Sequence, residues 1–130
     1  MTLYDSSVLI DYLAGDGTAI DYIEAQLDER AVAPPLVLFE VYQGEVFKSG
    51  PMDLTAVDGA LEWLTVVDTT GAHARAAAEL QAACHQHGEP LAARDAFVAG
   101  TALALGERLV VADADFDVAG LSDALSVDIL

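Results

Sequence analysis

Asp5, Glu40, Asp95 and Asp113 are carboxylates set in or next to apolar runs, where they are poorly placed for solubility alone. Asp5 follows Leu3-Tyr4, Glu40 lies inside LVLFEVYQG, Asp95 opens DAFVAGTALALG, and Asp113 ends LVVAD with Asp115 and Asp117 close behind. Acids drawn together at the edge of a core repel one another and need a cation, a hydrogen-bond partner or a shifted pKa. The chain has few bases to offer: Lys48 and the arginines at 30, 75, 94 and 108. The filler that suits such oxygens is Mg²⁺ or Mn²⁺, which prefer carboxylate and keep bound water. Such an ion lowers the pKa of its water, orients it toward phosphorus and neutralises charge on the leaving oxygen. The chemistry expected of the set is hydrolysis of a phosphodiester with no covalent protein nucleophile.

Each acid also has a plainer reading. Asp5 precedes a helix and can serve as its N-cap, although Ser6 or Ser7 would do equally well. Asp95 can cap the next helix, with Arg94 beside it as counter-charge. Glu40 shares a helical stripe with Leu36, Gly44 and Phe47, which predicts a carboxylate facing the buried side, while Glu45 lies elsewhere. Asp95 shares a stripe with Ala99, Ala102 and Gly106, small residues that allow close packing against a sheet. Asp113, Asp115 and Asp117 can form a solvated acidic turn, and Asp11 reads as a solvated helix acid. His73, His85 and His87 read as helix-face residues; the last two point to different faces, which disfavours a shared zinc.

Glycines and prolines cut the chain into short alternating units. Strands are expected at Leu3-Tyr4, 31–33, 65–67, 109–112 and 126–130. Helices are expected over 8–13, 19–27, 36–47, 54–64, 72–87 and 95–105. Strands alternating with helices predict an α/β layered fold with a mostly parallel sheet, because parallel neighbours need helical crossovers. In such sheets the ligand site lies beyond the carboxyl ends of the strands, which singles out Asp5 and Asp113.

At 130 residues and 54% hydrophobic, the chain suits one domain, residues 1–130, around a single core. It has no membrane-span-length apolar run and no signal-like N-terminus, so a cytoplasmic protein is expected. The lone Cys84 reads as a packing residue. With 22 acids against 5 bases the net charge is −17. An apolar-rich chain this acidic suits concentrated salt, where screening removes most self-repulsion, and a halophilic source is expected. The same charge argues against nucleic-acid binding through a basic patch, so any such role must run through metals or a partner.

The ordered segments DSSVLIDYL, LVLFEVYQG, DAFVAGTALALG and LVVADADF resemble the PIN-domain nuclease family, and within it the small single-domain toxins of the VapC type. The resemblance implies a PIN-like α/β/α sandwich with a central mostly parallel sheet. It also implies Mg²⁺- or Mn²⁺-dependent cleavage of RNA, a homodimer, and neutralisation by a small cognate antitoxin. Carried onto this chain, the catalytic and metal-binding acids are Asp5, Glu40, Asp95 and Asp113, with Asp115 as substitute or fifth ligand. Ser7 takes the supporting polar position, Thr101 a helix-packing role, and Phe116 anchors the last loop in the core. Family members commonly carry Thr-Arg just before the last acid, and here Val111 and Ala112 stand in those places. A catalytically silent PIN-like domain that binds protein is the alternative. A receiver-like signalling domain is a weaker one, since it needs a lysine after a late strand and Lys48 falls in a helical stretch. Tyr12, Tyr22, Ile23, Tyr42, Phe47 and Trp63 offer bulk for either the core or a partner surface.

Overall fold

In the computed structural model, which describes residues 1–130, every expected apolar run becomes a strand. In chain order the elements are β1 (Thr2–Tyr4), α1 (Ser6–Leu13), α2 (Gly17–Ala25), β2 (Ala31–Ala33), α3 (Pro35–Phe47) and α4 (Leu54–Ala60). There follow β3 (Leu64–Val66), α5 (Gly71–Gln86), α6 (Ala93–Leu105), β4 (Arg108–Val111), a 3₁₀ turn (Ala114–Phe116), α7 (Ala119–Ser122) and β5 (Val127–Ile129). The helix expected over 54–64 is shorter: Asp53 caps its start, Leu61 ends it, and Leu64 opens β3 instead. The 3₁₀ turn and α7 are too short to leave a helical periodicity in the sequence.

The sheet order is β3-β2-β1-β4-β5 and every pair is parallel. The chain builds outward from β1 through β2 to β3, then crosses back to β4 and β5. Right-handed crossovers place helices made in the two directions on opposite faces. Accordingly α1 packs with α2 and α3, and α5 packs with α6 and α7. The central strands carry the core: Leu3, Val32, Leu109, Val110 and Val111 are fully buried, as parallel strands covered on both faces require. β1 and β4, the pair at which the strand order reverses, therefore face the crevice where an α/β sheet places its ligand.

Side-chain bulk fills most of the interior as expected. Cys84 and Phe116 are buried, and Thr101 is buried with its hydroxyl donating to the Phe97 carbonyl at 2.9 Å. Of the residues that offered partner-surface bulk, Ile23 is in the core, and Tyr12, Tyr22, Tyr42 and Trp63 pack against it. Trp63 stands edge-on to Tyr4 and Tyr12 at centroid separations of 5.9 and 5.4 Å. Only Phe47 remains outside, 77% exposed, and Phe39, which periodicity did not single out, joins it.

No helix is long and apolar enough to cross a membrane. The few ion pairs at exposed positions, such as Arg75 with Glu79, leave most of the surface acids without a counter-charge. Self-repulsion of this kind is relieved by screening. The unfolding midpoint is expected to rise by roughly 5 °C or more between about 0.1 M and about 2 M KCl, on the order of 1 kcal/mol for a domain of this size. Thermal melts followed by circular dichroism check this, and a flat or falling midpoint contradicts it.

Candidate metal-binding active site

Asp5 stands one residue beyond β1 and Asp113 two beyond β4, so the sheet's reversal point brings two acids to one edge. The Asp5 amide donates to the Val110 carbonyl at 2.9 Å, which fixes its backbone against β4. Asp5 does cap α1: its Oδ2 accepts from the Ser7 amide at 3.3 Å and the Ser7 hydroxyl at 2.7 Å. The Ser7 hydroxyl oxygen in turn accepts from the Ala112 amide at 3.0 Å. Ser7 thus orients the Asp5 carboxylate and ties it to the end of β4. Capping and a place in the pocket are not exclusive, because the other oxygen, Oδ1, points inward. That atom is buried and accepts no hydrogen bond; Arg94 Nη2 lies 2.7 Å away but is not aligned to donate to it.

Asp95 is not the cap of its helix. α6 begins at Ala93 after Ala92, which makes no side-chain cap, and Asp95 is the third helical residue. Its carboxyl is buried, and desolvation pushes its pKa up; Arg94 opposes the shift, while Asp5 and Asp113 add to it. Ala99 and Ala102 on the same stripe are fully buried, whereas Gly106 is the left-handed cap that ends α6. Glu40 also departs from expectation. The buried face of α3 is Val37 and Val41, while Gly44 and Phe47 are exposed, so Glu40 lies beside the buried face and is half-buried. α3 is apolar on nearly every side, which makes periodicity a poor guide to its inner face.

Asp113 is half-buried and caps the 3₁₀ turn, its Oδ1 accepting from the Asp115 amide at 2.9 Å. Phe116, buried at the end of that turn, anchors it. One carboxylate oxygen from each of Asp95, Asp113 and Asp115 lies within 4.8 Å of the others. Oxygens on adjacent sites around a Mg²⁺ at 2.0–2.1 Å would be about 3 Å apart, so the triad is open enough to hold an ion partly through water. Asp117 is exposed beyond it. Val111, in the place of the family's threonine, is fully buried, and Ala112 contributes its amide rather than a side chain.

Arg94 is the site residue that sequence reasoning did not single out. Its Nε is 2.9 Å from both Glu40 oxygens, Nη1 donates to Asp95 Oδ1 at 2.9 Å, and Nη2 donates to Ser6 Oγ at 2.8 Å and also reaches Glu40. Burial pushes the guanidinium pKa down, but the bonds and charges of Glu40, Asp5 and Asp95 outweigh it and hold the pKa above its usual value. The adjacent Arg94-Asp95 pair was visible in the sequence; the reach to α1 and α3 is a tertiary contact with no local signature.

The arrangement has two overlapping halves, with Asp95 common to both. Asp5, Glu40 and Asp95 face one guanidinium, and Asp95, Asp113 and Asp115 face one another with no base between them. All donors are hard oxygens, the carboxylates outnumber the cation, and a buried carboxylate oxygen lacks a hydrogen bond. Those properties fit a hard divalent cation.

A parallel five-stranded sheet between two helical layers, with carboxylates gathered where its strand order reverses, defines a class of α/β/α domains with an acidic crevice. Residues 2–121 match the family model described as PIN domain, and the chain belongs to that family. Solved structures share the fold at low identity. A chain of FitAcB from Neisseria gonorrhoeae superposes with a TM-score of 0.82 at 16% identity, covering 98% of this chain and 96% of that one. A chain of VapBC2 from Rickettsia felis, bound to a promoter DNA fragment, gives 0.81 at 16% identity over 98% and 97%. A chain of a toxin-antitoxin complex from Klebsiella pneumoniae gives 0.74 at 20% identity over 89% and 90%. No curated protein matches the chain by sequence.

Proposed function

We propose that the protein is a VapC-type toxin: a cytoplasmic Mg²⁺- or Mn²⁺-dependent endoribonuclease held in check by a cognate antitoxin. Asp5, Glu40, Asp95 and Asp113 are the catalytic and metal-holding acids, Asp115 a further ligand, and Ser7 the group that orients Asp5. The observation that carries this reading is Asp5 Oδ1, a buried carboxylate oxygen with no hydrogen bond, which shares the Arg94 guanidinium with Glu40 and Asp95 at the sheet's reversal point. Asp5, Glu40, Asp95 and Asp113, with Asp115, would hold the ion, whose chemistry there would be to lower the pKa of water and to offset charge developing on the leaving oxygen.

The chain's own residues then have limited tasks. Ser7 keeps the Asp5 carboxylate aimed inward, burial of Asp95 raises its affinity for a cation, and the Asp113 turn sets the outer wall. With net charge −17 the protein has no basic track for RNA, so the substrate phosphate must be held mainly through the ion. This predicts slow, non-steered association.

An antitoxin or a second copy of the chain suits the α1–α3 side. Ile10, Leu13, Phe39, Val46 and Phe47 are exposed there, and a cavity of about 180 Å³ between α1, α3 and α4 is lined by Ile10, Leu13, Val41 and Val57. The toxin-antitoxin complex from Klebsiella pneumoniae, which shares this fold, supports a partner of that kind. A halophilic source remains the reading of the surface charge.

The alternative, a silent PIN-like domain kept for protein binding, draws on Arg94 filling half of the pocket and on the apolar Val111 and Ala112. The receiver-like reading has no support, because Lys48 caps the end of α3 rather than following a late strand. Incubating partner-free protein with RNA separates the first two. Cleavage is expected with millimolar Mn²⁺ or Mg²⁺ and is expected to fall by about 100-fold or more in chelator, the range associated with losing one strong electrostatic stabiliser. Absence of cleavage with either metal supports the silent domain, and cleavage that survives chelation removes the metal mechanism.

A further inference from the structure

We propose that Arg94 is the internal counter-ion of the acid pocket and thereby sets its affinity for divalent metal: the guanidinium must leave before an ion can engage Asp5 and Glu40. This rests on the reading of the pocket as a metal site.

The geometry sets the two cations in competition for the same acids. Arg94 Nη2 lies 2.7 Å from Asp5 Oδ1, and an ion bound to that oxygen would sit about 2.0–2.1 Å from it. An ion approaching that oxygen from the side the guanidinium occupies would meet it in the same space, in a crevice where burial strengthens the repulsion of two cations. Glu40 is engaged by Nε and Nη2 together, so neither of its oxygens is free while the clamp holds. Asp113 and Asp115 make no contact with Arg94, and their oxygens with that of Asp95 form the open approach. An ion arriving there meets Asp95 first and gains the inner acids only by displacing the guanidinium.

Arg94 is placed to be displaced. Its side chain is 28% exposed, whereas that of Asp5 is 2% exposed, so the arginine has a path to solvent and the aspartate does not. Both Nη2 hydrogens are taken by Ser6 and Glu40, which leaves Asp5 Oδ1 near a positive charge but without a hydrogen bond. Charge neutralisation there is incomplete, with three carboxylates facing one guanidinium, and a divalent ion in its place would offset one charge more. The consequence is a protein whose metal-free form is stabilised by Arg94 and whose metal-bound form is not.

The test is an equilibrium Mn²⁺ titration by calorimetry or electron paramagnetic resonance on the full chain, with Arg94→Gln and Arg94→Lys, at one fixed ionic strength. Arg94→Gln is expected to bind Mn²⁺ at least about tenfold more tightly than the unmodified chain, because removing a competitor raises apparent affinity. Arg94→Lys keeps the charge and is expected to stay within about threefold. Thermal melts supply a second readout: Arg94→Gln should melt below the unmodified chain in chelator, and the gap should close in saturating Mn²⁺. If the unmodified chain binds Mn²⁺ and folded Arg94→Gln binds no tighter, the competitor role is overturned while the metal site stands. A gain in Arg94→Lys as large as in Arg94→Gln overturns it too, since charge would not be what competes. If neither folded protein binds Mn²⁺, the pocket is not a metal site and both readings fall.

Discussion

Asp5→Asn and Asp95→Asn are each expected to lower metal-dependent RNA cleavage by about 10²- to 10³-fold or more while leaving the protein folded, as loss of one preorganised charge at a reacting centre does elsewhere. Asparagine keeps the shape of aspartate and an oxygen that can still accept from Ser7, so the α1 cap and its link to Ala112 survive. What disappears is a negative charge that the proposed metal site draws on. In Asp5→Asn the arginine keeps its bonds to Glu40 and Asp95, which limits the stability loss to roughly 1–3 kcal/mol. Single-turnover cleavage measured beside circular dichroism separates the two effects. Folded Asp5→Asn and Asp95→Asn proteins that both cleave at the original rate would falsify the assignment of these acids.

Gly100→Ala is expected to destabilise the fold by more than about 3 kcal/mol, the upper range for overpacking, since the clash here is with backbone. α6 crosses α5 so closely that a Cβ at Gly100 would come within 2.4 Å of the Ala77 Cα and nitrogen. A flexible side chain could swing aside, but here the two helices must separate, and α5 packs along both α6 and α7. Gly44→Ala is the matched control: nothing lies within 4 Å of its Cβ position, and α3 should gain roughly 0.5–1 kcal/mol from the lower entropy of the unfolded chain. Denaturant titrations of the two variants decide the matter. Equal midpoints for Gly100→Ala and the unmodified chain would show that the α5–α6 crossing yields easily.

The strands and the acids at their ends were legible because buried parallel strands are short apolar runs, and an aspartate directly after one stands out against them. Asp5 and Asp113 were found on that ground, and Ser7 on its resemblance to the family's polar position. The stripe that singles out Glu40 is not the buried one, and Glu40 reaches the site from beside the buried face. Phe39 and Phe47 explain the error: α3 exposes large apolar residues, so its pattern does not distinguish inside from outside. The helix over 54–64 was drawn too long because Leu61 and Leu64 continue its spacing into a turn and a strand. The contacts of Arg94 with Ser6 and Glu40 join residues 88 and 54 positions apart and leave no trace in local pattern.

The pairing of Thr2 with Arg108 and Tyr4 with Val110 sets when this pocket comes into being. β1 first finds β2, about thirty residues on, but its other edge stays open until β4 has left the ribosome. Loop closure over such a separation is slow, and non-local strand pairs form late. Asp5 and Glu40 are bridged in the fold by Arg94, and Asp95, Arg94 and Asp113 are delivered only by the returning crossover. The acid pocket is therefore expected to be among the last features of the fold to assemble. A growing chain still tethered to its own messenger carries only part of the acid set until β4 is in place.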